Sequence, residues 1–219
     1  MLTDDALTQV ARQIASEADG FTGGPVERFG EVGRNTLEAL KSAGLKPEHA
    51  LLDVGCGVLR LGYWLINYLD ADKYCGLEPS PLYVQLGLKY LIDAETAEQK
   101  RPRFDDNQNF DFSPFGVKFD FVVARSIFSH ASPKLIDLAL ESFRDNSSAN
   151  GVMLTSFKPT IKEDGDAEQV DLKNKGDWSW RRYSPAYLIG LAEAKGLHAE
   201  KFLKPFNGQR WLRVSKNPN

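Results

Sequence analysis

The sequence predicts an α/β protein with a doubly wound, mostly parallel sheet. Seven short apolar runs have the composition of buried strands, and stretches long enough for helices separate most of them. A glycine-containing turn, 55–57, directly follows the first run. The chain has 219 residues, 42% of them hydrophobic and 26% charged, which is enough for one domain with a full core. We therefore expect a single domain over 1–219, in which strands and helices alternate.

The first 44 residues precede the first strand and are predicted to form two helices. Apolar side chains recur at three- and four-residue steps from Leu7 to Ala18, which predicts an amphipathic helix ending at Gly20. A loop is expected over 21–25, and a second helix over 32–43. The apolar faces of both helices must cover other parts of the chain. We therefore expect residues 1–44 to form an N-terminal helical lid.

The alternation of strands and helices begins after this lid and is Rossmann-like. Strands are predicted at 50–54, 73–77, 102–104, 119–124 and 151–157. Helices are predicted at 59–68, 82–94 and 133–143. Because helices connect the strands, the sheet is expected to be parallel with helices on both faces. Residues 45–157 are therefore expected to form the ligand-binding core.

The C-terminal part of the chain departs from this alternation. Residues 158–182 are polar with no clear period, and we predict a loop-like insertion there. A helix is expected over 185–195, and strands over 198–203 and 210–215. Asn207-Gly208 separates these two strands, as in a β-hairpin. The last strand is therefore predicted to be antiparallel to its neighbour, within a C-terminal region of 183–219.

A nucleotide site is predicted at the first strand end. Gly55 and Gly57 allow a sharp turn and close approach of the backbone to a ligand, and Glu78 lies 21 residues after Gly57. A carboxylate at that distance can accept hydrogen bonds from both hydroxyls of a ribose. A nicotinamide fingerprint would need a third glycine at position 60, where this chain has Arg60. The spacing therefore favours an adenosine-type cofactor.

Three motifs resemble the class I S-adenosylmethionine-dependent methyltransferases. Asp53-x-Gly55-x-Gly57 resembles the first motif of that family, and 74–80 is similar to its second strand, which ends in the ribose-binding acid. Residues 119–130 resemble its fourth strand and following loop. The variant sequence at 55–60 resembles a bacterial branch that methylates small molecules. One departure is Leu59, which stands where the family usually has a third glycine.

The resemblance implies S-adenosylmethionine as cofactor and S-adenosylhomocysteine as product, with no metal. Main-chain N–H groups at the glycines, the helix opening near Val58 and Arg60 would meet the cofactor's carboxylate. Arg60 could equally lie on a helix surface. The stretch beyond the third strand would contact adenine, or it could be a plain polar turn. The cofactor-binding candidates are Asp53, Gly55, Cys56, Gly57, Arg60, Glu78, Pro79, Asp106, Asn107, Phe110 and Arg125.

Methyl transfer is an in-line displacement, so the protein must align the reactants and, where needed, remove a proton. His130 follows the fourth strand and is our candidate general base. It could instead cap or pack near the next helix. The acceptor-binding candidates are Trp178, Trp180, Arg181 and Tyr183, an aromatic and cationic group suited to a flat or anionic molecule. The tryptophans could also simply cover the insertion.

Composition narrows the partners and leaves two alternative functions. The net charge of −3, without a basic run, argues against nucleic acid, and no run is long enough for a membrane span. Only two cysteines occur, and we expect reduced thiols in a cytoplasmic protein. The predicted function is methylation of oxygen or nitrogen in a small molecule. The alternatives are a Rossmann-type NAD(P)-dependent oxidoreductase and a non-catalytic S-adenosylmethionine-binding protein.

Overall fold

The computed structural model describes residues 1–18, 24–160, 167–169, 176–203 and 208–218. These residues form two compact units, Met1–Asn107 and Gln108–Asn219, each with its own strands and helices. The elements of the first unit are α1 (Asp4–Glu17), α2 (Phe29–Ser42), β1 (Leu51–Val54), α3 (Gly62–Tyr68), β2 (Tyr74–Leu77), α4 (Pro81–Leu91), α5 (Ala94–Lys100) and β3 (Arg103–Asp105). Those of the second are β4 (Phe119–Ala124), α6 (Pro133–Asn146), β5 (Ser147–Phe157), β6 (Ala167–Gln169), β7 (Arg181–Tyr183), α7 (Pro185–Ala194), β8 (His198–Lys201) and β9 (Arg210–Ser215).

The strands of the first unit are parallel and lie in the order β3-β2-β1. Leu51 pairs with Tyr74, and Cys75 pairs with Arg103. Every residue of β1 and β2 is buried, as expected for parallel strands covered on both faces. This arrangement brings the carboxyl ends of the three strands to one edge, where open α/β sheets bind ligands.

The N-terminal helices pack within the first unit. Thr3 caps α1 through a hydrogen bond from the N–H of Ala6, and the apolar face of α1 buries Leu7, Ala11 and Ile14. Helix α1 contacts α2 and α4. The prediction of two amphipathic helices is confirmed. The predicted loop at 21–25 and the helix end at Gly20 fall mostly on 19–23, outside the described residues.

The second unit combines parallel and antiparallel strands. Strand β4 pairs in parallel with β5, and β9 runs antiparallel to both β5 and β8. Helix α6 packs against β5, and α7 packs against β8 and β9. Ser132 and Ser184 cap these helices, each accepting a hydrogen bond from a main-chain N–H in the first turn.

The predicted fold class is confirmed, because the two units together contribute seven strands of a mostly parallel, Rossmann-like sheet with an antiparallel C-terminal strand. Two details were wrong. Helix α5 was not predicted, because Ala94–Lys100 has no apolar face and is held by its Asp93 cap. The 158–182 insertion is not only loop, because β6 pairs with β7 in a separate two-stranded sheet. The turn residue Asn207 lies outside the described residues.

None of the helices in the described ranges has both the length and the apolar character needed to cross a membrane.

Candidate functional site

The turn after β1 has a left-handed backbone at three positions. Gly55, Gly57 and Leu59 have φ values of 69°, 54° and 60°. Glycine adopts such angles readily, whereas a side chain makes them costly, by roughly 1–2 kcal/mol. The two predicted glycines are therefore required by the turn itself.

The main-chain N–H groups of this turn are engaged within the protein. The N–H groups of Gly55 and Cys56 both donate to the carbonyl of Leu77, over 2.8 and 3.1 Å. The N–H of Gly57 donates to Glu78 Oε2 over 2.9 Å. Helix α3 begins only at Gly62, not near Val58. In this structure the glycines therefore shape the turn, and α3 begins four residues after Val58. The contact of this turn with the cofactor's carboxylate stays a prediction.

Leu59 explains how the chain dispenses with the third glycine of the family. Its backbone adopts the left-handed angle that glycine favours, and its side chain is fully buried. A Cβ added at Gly62 would lie 3.0 Å from the Leu59 side chain, and one at Gly87 would lie 2.7 Å from it. The space left by two glycines on neighbouring helices therefore accommodates this leucine. Burial of the side chain offsets the backbone strain.

Glu78 lies one residue after β2 with a fixed carboxylate. Its Oε2 accepts the N–H of Gly57, and its Oε1 accepts the N–H of Ser80 over 3.0 Å. Half-burial of the carboxyl raises its pKa, while the two main-chain donors act in the opposite direction. A carboxylate has about four lone-pair positions. Each oxygen therefore keeps capacity for one further donor, which is what two neighbouring hydroxyls require.

A cleft of about 380 Å³ opens beside Glu78. Its lining combines apolar surface from the start of α4 and from β3 with acidic groups at the ends of β2 and β3. Asp106, one of the predicted adenine contacts, lines this cleft and is exposed. The sequence analysis did not predict most of the lining. The start of a helix shortly after the predicted ribose-binding acid could have indicated the part that α4 contributes. The lining residues are Glu78, Pro81, Val84, Gln85, Phe104, Asp105 and Asp106.

Asn107 and Phe110, the other two residues predicted to contact adenine, also make contacts within the protein. The N–H and side-chain amide of Asn107 both donate to Asp105 Oδ1, over 3.0 and 2.6 Å. Asn107 therefore shapes the turn after β3. Phe110 is buried, has a left-handed backbone, and its ring centroid lies 5.5 Å from that of Trp178. Within the second unit it therefore supports the residues predicted to bind the acceptor.

Asp53 and Cys56 form a buried polar cluster beneath the turn. The hydroxyl of Tyr74 donates to Asp53 Oδ2 over 3.0 Å, and Asp53 is 2% exposed. Burial, with the charges of Asp53 and Glu78, raises the pKa of the Cys56 thiol well above its usual range. Cys56 is therefore a neutral, packed thiol. Asp53 holds β1 against β2 through Tyr74.

Arg60 connects the turn to the N-terminal segment. It is 8% exposed, its guanidinium carbon lies 5.0 Å from the centre of the Phe29 ring, and its Nη2 donates to the carbonyl of Gly24 over 3.2 Å. Arg60 is therefore not the surface side chain that one interpretation of the sequence expected. It fixes the start of α2 beside the glycine turn. Of the other cofactor candidates, Pro79 is exposed and Arg125 is half-buried.

His130 lies in the loop between β4 and α6, and its side chain is exposed. Protein atoms nevertheless surround much of the imidazole, and this desolvation lowers its pKa below the ordinary value of 6.5. Its backbone is held on both sides, since its N–H donates to the carbonyl of Ile127 and its carbonyl accepts the N–H of Ser179. The imidazole is therefore neutral at pH 7, on a fixed backbone.

The segment 177–183, which carries the predicted acceptor-binding residues, lies along this loop. Ser132 donates from its main-chain N–H and its hydroxyl to Asp177, over 2.7 and 3.0 Å. At the other end, the hydroxyl of Tyr183 donates to the carbonyl of Ala131 over 2.7 Å. Tyr183 is fully buried, so in this structure it anchors the segment, and its predicted contact with an acceptor stays a prediction.

Three of the predicted acceptor contacts remain accessible. Trp178 is 37% exposed, and Trp180 and Arg181 are half-buried. Arg181 donates from Nη2 to the carbonyl of Gly176 over 3.1 Å. Main-chain hydrogen bonds from Ser179 to His130 and from Arg181 to Ser129 place the backbone of this segment beside that of the loop. The role of these side chains in binding an acceptor stays a prediction.

Comparisons with known proteins indicate the class of protein to which this chain is similar. Residues 52–153 match a family model described as a methyltransferase domain. The matched range contains the glycine turn, Glu78, the β3 end and the loop with His130. An uncharacterized protein of Rickettsia prowazekii, RP028, is 27% identical over 110 residues, which cover 49% of this chain and 42% of that protein. The chain thus spans less than half the length of this relative.

The fold is that of solved methyltransferases. A complex of DhpI with SAH has a TM-score of 0.66 and 17% identity over 99% of this chain and 98% of that one. The glycopeptide N-methyltransferase MtfA with S-adenosylmethionine has a TM-score of 0.65 and 13% identity, covering 86% and 94%. Magnesium protoporphyrin IX methyltransferase from Synechocystis PCC 6803, with bound SAH, gives 0.62 and 16%, covering 95% and 93%. The chain therefore has the fold of the class I S-adenosylmethionine-dependent methyltransferases, and its residues 52–153 match a methyltransferase domain, in agreement with the resemblance found in the sequence.

Proposed function

We propose that this protein is a methyltransferase, which transfers the methyl group of S-adenosylmethionine to an oxygen or nitrogen of a small molecule. The observation that carries the proposal is Glu78. Its carboxylate is fixed by two main-chain donors beside a cleft of about 380 Å³, with one acceptor position left on each oxygen. That geometry suits the two hydroxyls of a ribose and leaves the cleft for adenine.

The cofactor role is divided among few side chains. Glu78 binds the ribose, and Asp106 with Phe104 and Val84 lines the space for adenine. Gly55 and Gly57 shape the turn that the cofactor approaches, and Arg60 supplies positive charge next to it. When bound, S-adenosylmethionine supplies an electrophilic methyl group on a sulfonium. The protein's own task is to hold that group in line with an acceptor.

In this proposal the acceptor binds at the group formed by His130, Trp178, Trp180 and Arg181. Aromatic faces suit a planar molecule, and the guanidinium suits an anionic substituent. His130 accepts the proton that the acceptor loses, because its lowered pKa keeps the imidazole neutral at pH 7. Two similar structures are named as a glycopeptide N-methyltransferase and a magnesium protoporphyrin IX methyltransferase, and these names support a small-molecule acceptor. The two buried free cysteines agree with a reducing compartment such as the cytoplasm.

The proposal is tested by incubating the protein with a cell extract and S-adenosylmethionine labelled in the methyl group. We expect label in the fraction that passes an ultrafilter, and its loss with Glu78→Ala. His130→Gln should slow the transfer while leaving cofactor affinity unchanged. Label confined to protein or nucleic acid would contradict the small-molecule acceptor.

A further inference from the structure

A second cavity lies at the opposite end of helix α4 from the cleft beside Glu78. The start of α4 contributes Pro81 and Val84 to the cleft, whereas 89–91, at the end of the helix, line this cavity of about 420 Å³. Pro81 and Leu91 are ten residues apart, which is about 15 Å along a helix. Among the described residues the two cavities share no lining residue, so they are separate sites.

The second cavity has the size and the apolar surface of a small-molecule site. Its volume lies within the range of about 300–1,000 Å³ that is typical of ligand pockets. Leu91 and Ile92 line it and are 6% and 7% exposed, and Leu2 adds further apolar surface. The rings of Tyr63 and Tyr90 add aromatic surface. A molecule with an apolar body therefore fits these surroundings.

The Tyr63 hydroxyl is a buried donor that lacks an acceptor. Tyr63 lies on α3 and is 3% exposed, and its oxygen accepts the N–H of Leu2 over 2.5 Å. The hydroxyl also has a proton to donate, and no acceptor for this proton lies among the residues that the structure describes. Buried polar groups are normally hydrogen-bonded, and both Tyr63 and Leu2 line the cavity. The hydroxyl proton is therefore available to a molecule in the cavity.

Lys89 and Asn67 supply two further donors to the lining. Lys89 Nζ lies 3.2 Å from Glu17 Oε2 and 4.4 Å from the centre of the Tyr90 ring. An ammonium group has three protons, so this pairing leaves donor capacity on Lys89. The side-chain amide of Asn67, one turn after Tyr63 on α3, donates to the Tyr63 carbonyl over 2.7 Å and keeps a second N–H. Three donor groups thus line one cavity.

The charged acceptor in the lining is already occupied. Asp93 is the N-cap of α5, and its two carboxylate oxygens accept the N–H and the hydroxyl of Thr96, each over 2.8 Å. The start of the helix compensates part of the Asp93 charge. Outside the lining, the Glu17 carboxylate accepts hydrogen bonds from both Lys89 and the Tyr90 hydroxyl. The open capacity of the cavity is therefore mainly that of donors, and a carboxylate is an acceptor that an ammonium group binds strongly.

We propose that this cavity is a binding site for a small organic carboxylate with an apolar body. The carboxylate accepts hydrogen bonds from the Tyr63 hydroxyl and the Lys89 ammonium group, and the apolar body packs against Leu91 and Ile92. The site is separate from the cleft at Glu78. The proposal therefore goes beyond methyl transfer and does not depend on it.

The test uses phenylacetate as the ligand and NMR titration of the isotopically labelled full chain as the measurement. We expect saturable shifts of the main-chain amides in 63–67 and 89–96, both without S-adenosylhomocysteine and with an excess of it. Phenylacetamide has the same shape without the charge and should bind about tenfold more weakly. Shifts that fail to saturate by about 10 mM, ten times the concentration that half-fills a millimolar site, would overturn the proposal. Displacement of phenylacetate by S-adenosylhomocysteine would also overturn it, because the ligand would then occupy the cofactor cleft, and the proposed function would stand.

Two substitutions test the donors, each with a matched control. Tyr63→Phe removes only the hydroxyl, and Lys89→Met keeps the length of an exposed side chain without its charge, so each should weaken phenylacetate binding about tenfold. Tyr68→Phe on the same helix as Tyr63 and Lys41→Met should leave the affinity unchanged. Lys41 matches Lys89, because it pairs with Glu38 and lies 5.8 Å from the centre of the Tyr68 ring. Unchanged affinity in Tyr63→Phe and in Lys89→Met, with normal thermal unfolding, would contradict the proposal.

Glu17→Gln separates ligand binding from the attachment of α1. Lys89→Met also breaks the ion pair with Glu17, so weaker binding in that variant has a second explanation in a displaced α1. Glu17→Gln breaks the same ion pair but frees Lys89 Nζ for the ligand, so we expect it to tighten phenylacetate binding a few-fold. Weaker binding in Glu17→Gln, at an unchanged temperature of unfolding, would show that Lys89 acts through α1 and would overturn its role as a ligand contact.

Discussion

Replacing Glu78 gives the sharpest test of the cofactor site, because its hydrogen bonds can be counted. The carboxylate has about four lone-pair positions. The N–H groups of Gly57 and Ser80 occupy one on each oxygen, so one per oxygen remains for the ribose. Each charge-assisted hydrogen bond contributes about 1.5–3 kcal/mol. Glu78→Gln turns one acceptor into a donor and loses one bond to the ribose, and Glu78→Ala loses both.

These energies translate into measurable affinities. At about 1.4 kcal/mol per factor of ten, Glu78→Gln should weaken S-adenosylhomocysteine binding roughly 10- to 100-fold, and Glu78→Ala roughly 100-fold or more. Isothermal titration calorimetry at pH 7 measures both. Glu98→Gln removes an exposed carboxylate on α5 and is the matched control, with no expected change. If Glu78→Ala bound the ligand within twofold of the wild type, the assignment of Glu78 to the ribose would be refuted.

The pH dependence of binding supplies a second readout on the same residue. Burial raises the pKa of Glu78 above its ordinary value of 4.5, so protonation begins at a higher pH than for a free glutamate. A protonated carboxyl loses acceptor capacity. Affinity for S-adenosylhomocysteine should therefore fall as the pH is lowered towards the raised pKa, and Glu78→Gln should be insensitive over that range. In the protein without ligand, the free energy of unfolding depends on pH in the opposite sense. Because the pKa of Glu78 is higher in the folded than in the unfolded state, this carboxyl stabilises the folded state below pH 4.5. That contribution is lost as the pH rises through the folded-state pKa.

Three further predictions concern packing and the general base. In urea unfolding, Leu59→Ala should lower the free energy of unfolding by about 2–5 kcal/mol, and Leu59→Gly should be roughly 1 kcal/mol more stable than the alanine variant because glycine relieves the backbone strain. A glycine variant more stable than the wild type would contradict the packing argument. Tyr74→Phe removes the donor to buried Asp53 and should cost about 1–3 kcal/mol by the same method, whereas no change would show that Asp53 is satisfied elsewhere. In NMR titration, the imidazole of His130, assigned with His130→Gln, should show a midpoint below 6.5, and a higher midpoint would rule out the desolvated environment.

The fold was largely predictable because its signals are local. The fully buried strands β1 and β2 are short apolar runs, and the turn at Gly55 and Gly57 needs left-handed angles that glycine provides. The spacing to Glu78 led to the residue that lies beside the cleft. By contrast, α5 lacks an apolar face and left no periodic signal.

The parts that sequence reasoning missed depend on distant pairing. Tyr183 lies in an aromatic cluster with Trp178 and Trp180 in the sequence, but its hydroxyl bonds to Ala131 and buries the ring. The ring of Phe110 packs on that of Trp178, which is 68 positions away in the sequence. Hydrogen bonds likewise join Ser126, Ser156 and Gln209, which come from three separate parts of the second unit. Spacing within a motif carries no information about such contacts.

Calorimetric titration of the wild-type protein with S-adenosylmethionine, S-adenosylhomocysteine and NADH tests the central claim most directly. Because the proposed cofactor site consists of Glu78, the cleft and the glycine turn, we predict one-to-one binding of both adenosyl ligands and none of NADH. Binding of NADH without binding of S-adenosylmethionine would contradict a methyltransferase.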